Sequence, residues 1–248
     1  MPSELNKKIF VAGAGGAIGR RLCPLLVRDG WSVTGTTRSA EKASTLRTMG
    51  VTPVIVDVFD EKALLDIVCA AQPDVVVHQL TDLPPALDPT KMAEAKIRNA
   101  RLREIGTRYL VAAAVAAGAR RMVAQSLAFV YAPGPTPYRE DAPLDLNNPD
   151  FGLTARAVAS LEQQVLSAPL EAIVLRYGKL YGPGTGFDKP PGGGPLHVDA
   201  AADAARRAAM RGKAGVYNIA ENDGTVSIDK AMEGLGWNAG FRIDKYSR

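Results

Sequence analysis

The stretch "FVAGAGGAIGRRL", Phe10–Leu22, decides the fold. A short apolar run ends at Ala12, glycines follow at 13, 15, 16 and 19, and an amphipathic segment then continues to Gly30. Gly13, Gly16 and Gly19 have the spacing G-x-x-G-x-x-G, in the order strand, turn, helix. Glycines without Cβ atoms let the chain turn tightly, approach a pyrophosphate and pack helix against strand. The helix N-terminus offers free N–H groups and the positive end of its dipole to the phosphates. Gly13, Gly15, Gly16, Ala17, Ile18 and Gly19 are therefore candidate cofactor-binding positions.

Working outward from this turn, β-type and helical segments alternate along the chain. "WSVTGTTR", "VTPVIVDV", "DVVVHQL", "RRMVAQSLAFVYA", "EAIVLRYG" and "GVYNIA" read as strands. The helices between them include one opened by Ser39 as N-cap, one capped by Asp60, a long Ala- and Arg-rich one over Lys91–Ala117, "GLTARAVASLEQQVLSA" and "SIDKAMEGLG". Pro133–Asp150 reads as a loop, and "PGTGFDKPPGGGP" as a flexible one. This alternation predicts an α/β fold, a doubly wound parallel sheet of Rossmann type with a small, truncated C-terminal substrate-binding portion. We expect residues 1–175 to form the nucleotide-binding core. Residues 176–248 complete the sheet and a reduced substrate lobe within the same structural unit.

Composition narrows the function. The chain has 248 residues, 46% hydrophobic and 23% charged, as expected of a globular protein with a large core. The net charge is +4, and the basic residues are scattered apart from Arg98, Arg101, Arg103 and Arg108. No aromatic residues interleave with basic runs, so no nucleic-acid partner is expected. Cys23 and Cys69 are too few for a disulfide framework, and no residue set has metal-ligand spacing. No apolar run is long enough to span a membrane, and a cytoplasmic location is expected.

The end of the second strand bears on cofactor choice. An NAD site usually carries an acidic residue there for the ribose 2′-hydroxyl. This chain has Thr36, Thr37, Arg38 and Ser39. The Arg38 guanidinium suits a 2′-phosphate, which favours NADP over NAD. Thr37, Arg38 and Ser39 join the cofactor-binding candidates.

Four segments together carry a family resemblance: "FVAGAGGAIGRRL", "VIVDVFD", "RRMVAQSLAFVYAPG" and "VLRYGKLYGPGTG". The chain resembles an extended or atypical short-chain dehydrogenase/reductase of the NAD-dependent epimerase/dehydratase type. The resemblance implies that Asp57 and Val58 face the adenine. It places His78, Gln79 and Leu80 beside the adenosine ribose and phosphates, and Tyr177 and Gly178 beside the nicotinamide. It also implies a homodimer, paired through Lys91–Ala117 and Gly152–Ser167.

The resemblance breaks at the proton-transfer machinery. Active members normally use a Tyr with a Lys four residues later, because an unassisted phenol of pKa ~10 is a poor base. In "DFGLTARAVASLE" one register puts these positions at Phe151 and Ala155, the other at Thr154 and Val158. Neither supplies the pair, and no Tyr in the chain has a Lys four residues on. The usual upstream Ser falls on Leu127, with Ser126 one residue away. The family's further polar helix position falls near Arg103, with Asn99 one turn earlier. Two readings follow. The chain is an NAD(P)-binding oxidoreductase or epimerase-like enzyme acting on a small carbonyl or sugar-type substrate with a non-standard acid/base. Tyr131 and Ser126 are then the catalytic candidates, Ser126 also a cofactor contact, followed by Tyr138, Lys179 and Lys189. Otherwise it is an inactive protein that binds or senses NADP(H), with no small-molecule substrate.

Overall fold

In the computed structural model, which describes residues 7–243, strand side chains are apolar toward both faces, so helices must cover the sheet on both sides. In β1 (Lys8–Ala12), Ile9 and Val11 enter one core cluster, Phe10 and Ala12 the other. In β4 (Val75–His78), Val75 and Val77 oppose Val76 in the same way. In β5 (Arg121–Leu127), Val123 opposes Met122 and Ala124; in β6 (Glu171–Tyr177), Ile173 and Leu175 oppose Ala172 and Val174. The first cluster is closed by α1 (Gly19–Arg28), α2 (Ala40–Thr48) and the alanine-rich α7 (Val198–Met210). The second is closed by α3 (Glu61–Ala71), α5 (Thr107–Ala116) and α6 (Gly152–Leu166).

Two outer strands, β2 (Ser32–Thr37) and β3 (Thr52–Ile55), extend the sheet on one side. A separate parallel pair, β7 (Lys179–Tyr181) with β8 (Pro195–His197), brackets the glycine- and proline-rich loop. β9 (Gly215–Ile219) returns to the main sheet beside β6, and α8 (Asp229–Leu235) follows. The main sheet has the order β3-β2-β1-β4-β5-β6-β9, and its strand pairs are all parallel. This is the expected Rossmann-type sheet. The order reverses direction between β1 and β4, which places a crevice at their carboxyl ends.

The capping expectations hold: Ser39 Oγ accepts from Lys42 N at 3.3 Å and Asp60 Oδ1 from Ala63 N at 3.0 Å. Two element readings need correction. The helix expected over Lys91–Ala117 is broken into α4 (Met92–Arg101) and α5 by a wide, π-type turn over Leu102–Gly106. The flexible loop expected over Pro183–Pro195 is the connection within an unexpected β7–β8 pair. Its three-residue strands lie below the length at which alternation shows in a sequence. Among the described residues no helix is long and apolar enough to cross a membrane.

Candidate active site

The glycine turn forms one wall of a cleft at the crevice. Gly13 has φ +90°, and a Cβ there would lie 2.5 Å from the Gln79 carbonyl oxygen. A Cβ on Gly19 would collide with the carbonyl oxygens of Gly13 and Ala14. Both glycines are therefore required for the start of α1 to sit this close to β1 and β4. No side chain caps α1, whose N-cap is Ile18, and its first turn contains no acidic residue. That end is open to an anion. Thr36 Oγ1 accepts from Gly13 N at 2.9 Å and fixes the turn to the end of β2.

The rest of the cleft comes from the strand ends. Gly15, Gly16, Thr37 and Arg38 line it with Lys42 of α2; Asp57 and Val58 follow β3, and Gln79 and Leu80 follow β4. Asp57 also holds its own turn, accepting from Phe59 N at 3.0 Å. Ser39 serves as the cap of α2. Gln79 donates through Nε2 to the Tyr177 hydroxyl at 3.1 Å, while its Oε1 is buried without a partner. An unpaired buried amide oxygen is unfavourable unless something else fills its coordination. The open helix end suits a phosphate and the free acceptor a hydroxyl or amide donor, so that with the cleft they fit a dinucleotide, which carries both. Gly178 lies against Gly194, whose carbonyl oxygen a Cβ would strike.

Electrostatics at the cleft differ from side to side. Arg38, exposed at the rim, donates to Asp82 Oδ1 at 3.0 Å, and Arg98 Nε donates to Asp82 Oδ2 at 3.0 Å. Arg21 reaches Asp199 and the Pro183 carbonyl. His78 is fully buried. Its Nδ1 accepts from Leu80 N at 3.3 Å, so Nε2 carries the hydrogen toward Thr107 Oγ1 at 3.0 Å. Burial pulls its pKa down to about 4 and keeps it neutral.

At the start of α6 the surroundings are apolar. Val130, Ala155 and Val158 are buried together, with Leu127, Leu144 and Phe151 packed against them. Both registers considered for the Tyr–Lys pair contribute to this cluster, and so does the position of the usual Ser.

The two catalytic candidates lie in a buried polar network nearby. Arg176 of β6 grips Glu162 of α6 through Nε at 2.8 Å and Nη2 at 2.7 Å. Ser126 Oγ donates to Glu162 Oε1 at 2.5 Å. Arg176 Nη1 donates to the Tyr131 hydroxyl at 2.8 Å, which in turn donates to Asn218 Oδ1 at 2.6 Å. Burial raises the Tyr131 pKa, making it a weaker acid than a free phenol. Each member is engaged by another, and the network ties β5, α6, β6 and β9 together. Among the lesser candidates, Tyr138 Oη accepts from Gly134 N, Lys179 Nζ donates to Gly192 O, and Lys189 is exposed. Glu162 and Arg176 both lie in segments singled out in the sequence, but their pairing is visible only in the folded chain.

Comparison with known proteins agrees with this architecture. Residues 9–212 match the NAD dependent epimerase/dehydratase family. A Streptomyces protein named 3-diazoavenalumate denitrifying reductase is 43% identical over 238 residues, covering 87% of this chain and 76% of that one. The UDP-glucose 4-epimerase of Thermotoga maritima, solved with UDP-glucose, superposes with a TM-score of 0.76 at 18% identity, over 96% of this chain and 95% of that one. DesIV, a dTDP-glucose 4,6-dehydratase from Streptomyces venezuelae solved with NAD and TYD, gives 0.75 at 16% identity, over 96% and 94%. At such identities the two structures share the fold. The family match over most of the chain, on a Rossmann sheet with an intact glycine turn, makes this protein a member of the NAD-dependent epimerase/dehydratase family.

Proposed function

We propose that this chain is a nicotinamide-dinucleotide-dependent reductase, using NADP in preference to NAD, whose substrate needs no proton from the protein. The observation that carries this is the apolar cluster of Leu127, Val130, Leu144, Phe151, Ala155 and Val158 at the start of α6. Reduced nicotinamide supplies a hydride when bound. Carbonyl reduction needs a proton as well, and a group to hold the developing oxyanion. Replacing an aryl carbon–diazonium bond by carbon–hydrogen needs two electrons and one hydrogen nucleus only. Dinitrogen leaves with the bonding pair, and no anion remains to be protonated. An apolar wall suits that chemistry, since it excludes the water that would otherwise displace the dinitrogen. The 43% identical relative, named as a denitrifying reductase of a diazo compound, supports the same substrate class.

In this reading the chain's own residues bind and orient. Gly13–Gly19 seat the pyrophosphate, with Ala17 and Ile18 at the helix end, and Asp57 and Val58 flank the adenine. Arg38, with Lys42 beside it, receives the 2′-phosphate. Gln79 offers its free Oε1, positioned by Tyr177, and Gly178 leaves room beside the ring. Ser126 and Tyr131 hold the β5–α6–β6 corner. We also propose a homodimer, supported by exposed Ile97, Val115, Leu153 and Leu166 on α4, α5 and α6; sedimentation returning a monomer at micromolar concentration would rule it out.

The test is anaerobic NADPH oxidation with diazotised 3-amino-4-hydroxybenzoate. The expected result is one dinitrogen and one 4-hydroxybenzoate per NADPH consumed, with Tyr131→Phe retaining most of the rate. Turnover of aldehydes or ketones that dies in Tyr131→Phe would instead favour a carbonyl reductase with an unusual acid. Firm NADPH binding without turnover of either class would leave a binding or sensing protein.

A further inference from the structure

Asn99, Arg103 and Thr107 recur at intervals of four, which sets them on one stripe of the α4–α5 helix. Hydrogen bonds locate the two ends of that stripe. Asn99 Oδ1 accepts from Asp82 N at 3.0 Å, and Thr107 Oγ1 lies 3.0 Å from His78 Nε2. His78 and Asp82 bracket the segment leaving β4, whose Gln79 and Leu80 line the cleft. Arg103 lies between the two along that stripe, and its charge is felt at His78. α6 runs alongside: Lys96 Nζ donates to Asp150 O at 3.3 Å near its start, and Gln164 Nε2 reaches Arg103 O at 3.5 Å further down. Side chains lean toward a helix N-terminus, which from Arg103 is the direction of the apolar cluster. The residue also sits within the π-type turn, a departure from regular helix that is frequent at functional sites.

Arg103 differs from the other enclosed arginines. Arg121, Arg176, Arg206 and Arg207 each pair with a carboxylate. Among the described residues, no carboxylate lies within ion-pair distance of the Arg103 guanidinium. The residue is partly buried, and with no carboxylate beside it desolvation lowers its pKa to about 10, which still leaves it charged at neutral pH. A desolvated charge without a counter-ion is costly to keep in a fold, and a ligand that brings the counter-ion removes that cost.

We infer that Arg103 anchors a carboxylate of the substrate, and so sets a preference for acids. The inference rests on the reductase reading for where the substrate sits. The planar fork of the guanidinium can bond both carboxylate oxygens. The dinucleotide phosphates are the other possible source of anionic oxygen, but they are already provided for across the cleft, at the open end of α1 and at Arg38 and Lys42.

Binding tests this without turnover. Isothermal titration would use 4-hydroxybenzoate and 4-hydroxycinnamate, each against its methyl ester, on the dinucleotide-free protein and on the NADP-loaded one. Wild type should bind at least one acid roughly tenfold or more tighter than its ester, about 1.4 kcal/mol. Arg103→Gln should erase that preference while leaving ester and NADPH affinities within about twofold. Arg103→Lys, which keeps charge without the fork, should retain a preference below about threefold; it carries the test if the Gln variant fails to fold. A wild type indifferent to the ester, or an Arg103→Gln protein that still prefers the acid, would overturn the inference. So would NADPH affinity falling in step with acid affinity, which would make Arg103 a phosphate ligand. Loss of the reductase reading would appear separately, as NADPH that fails to bind or to be consumed while the acid preference stands.

Discussion

Between β1 and β2 the site is built from main-chain groups: a glycine turn, an uncapped helix end, and a threonine that pins one to the other. Between β5 and β6 it is built from side chains that satisfy one another, an apolar cluster and a closed Arg176–Glu162 network. The first region leaves groups open for a ligand, whereas the second leaves few. Both lie at the same edge of one sheet, so the contrast does not come from the fold. It teaches that the two parts of the crevice are built independently: one keeps main-chain groups open, while the other fills the start of α6 with packing residues.

The largest effects should come from breaking the two regions in turn. Gly19→Ala places a methyl against the carbonyls of Gly13 and Ala14. NADPH affinity should fall by on the order of 100-fold, about 2.7 kcal/mol, measured by fluorescence of the bound dinucleotide. Arg176→Met leaves Glu162 charged and buried, and should destabilise the fold by about 3–5 kcal/mol in urea unfolding. Adding Glu162→Leu should recover much of that. NADPH affinity in the double variant should stay within about twofold of wild type; a collapse there would show that the two regions are coupled after all.

Between them, at the end of β4, His78 provides a pH-dependent test. The folded protein keeps its ring neutral down to about pH 4, while the unfolded chain takes up a proton below about 6.5. The unfolded state therefore binds more protons in that window. The contribution of His78 is complete above pH 6.5 and is lost as pH falls toward 4, about 3 kcal/mol in all. Urea midpoints at pH 7, 5.5 and 4.5 should show this slope in wild type and a flatter one in His78→Gln. The smallest effect is expected at Asp82→Asn, which releases Arg38. Because that ion pair is largely exposed, NADPH affinity should rise only about two- to threefold, with NADH unchanged. An equal gain for both dinucleotides would remove Arg38 from the 2′-phosphate site.

The same contrast explains what could be read from the sequence. Gly13, Gly16 and Gly19 are legible because only glycine fits where backbones approach so closely, and strands such as Val75–Val77 are legible because a parallel strand buried on both faces must be apolar throughout. That no Tyr has a Lys four residues on is legible as well, since it requires only residue identities. What replaced it is not. Leu127, Val130 and Val158 look like any core residues until the loop after β5 folds back on α6. Glu162 and Arg176 are fourteen residues apart on different elements, and only tertiary structure makes them partners. Arg103 stood out as one of several arginines and as lying near the family's further polar helix position, but a missing counter-ion leaves no trace in composition. The π-type turn that holds it likewise has no residue signature.

The place of β9 has a consequence for biosynthesis. Its five residues, Gly215–Ile219, complete the seventh position of the sheet and close the edge of β6. A ribosome must therefore travel about forty residues past Leu175 before the apolar run Ala172–Leu175 gains its last neighbour. Until then an open parallel edge is available to other nascent chains. Stop codons or proteolytic nicks just ahead of Gly215 should yield insoluble material rather than a smaller working enzyme, even though every residue of the dinucleotide cleft would already be present.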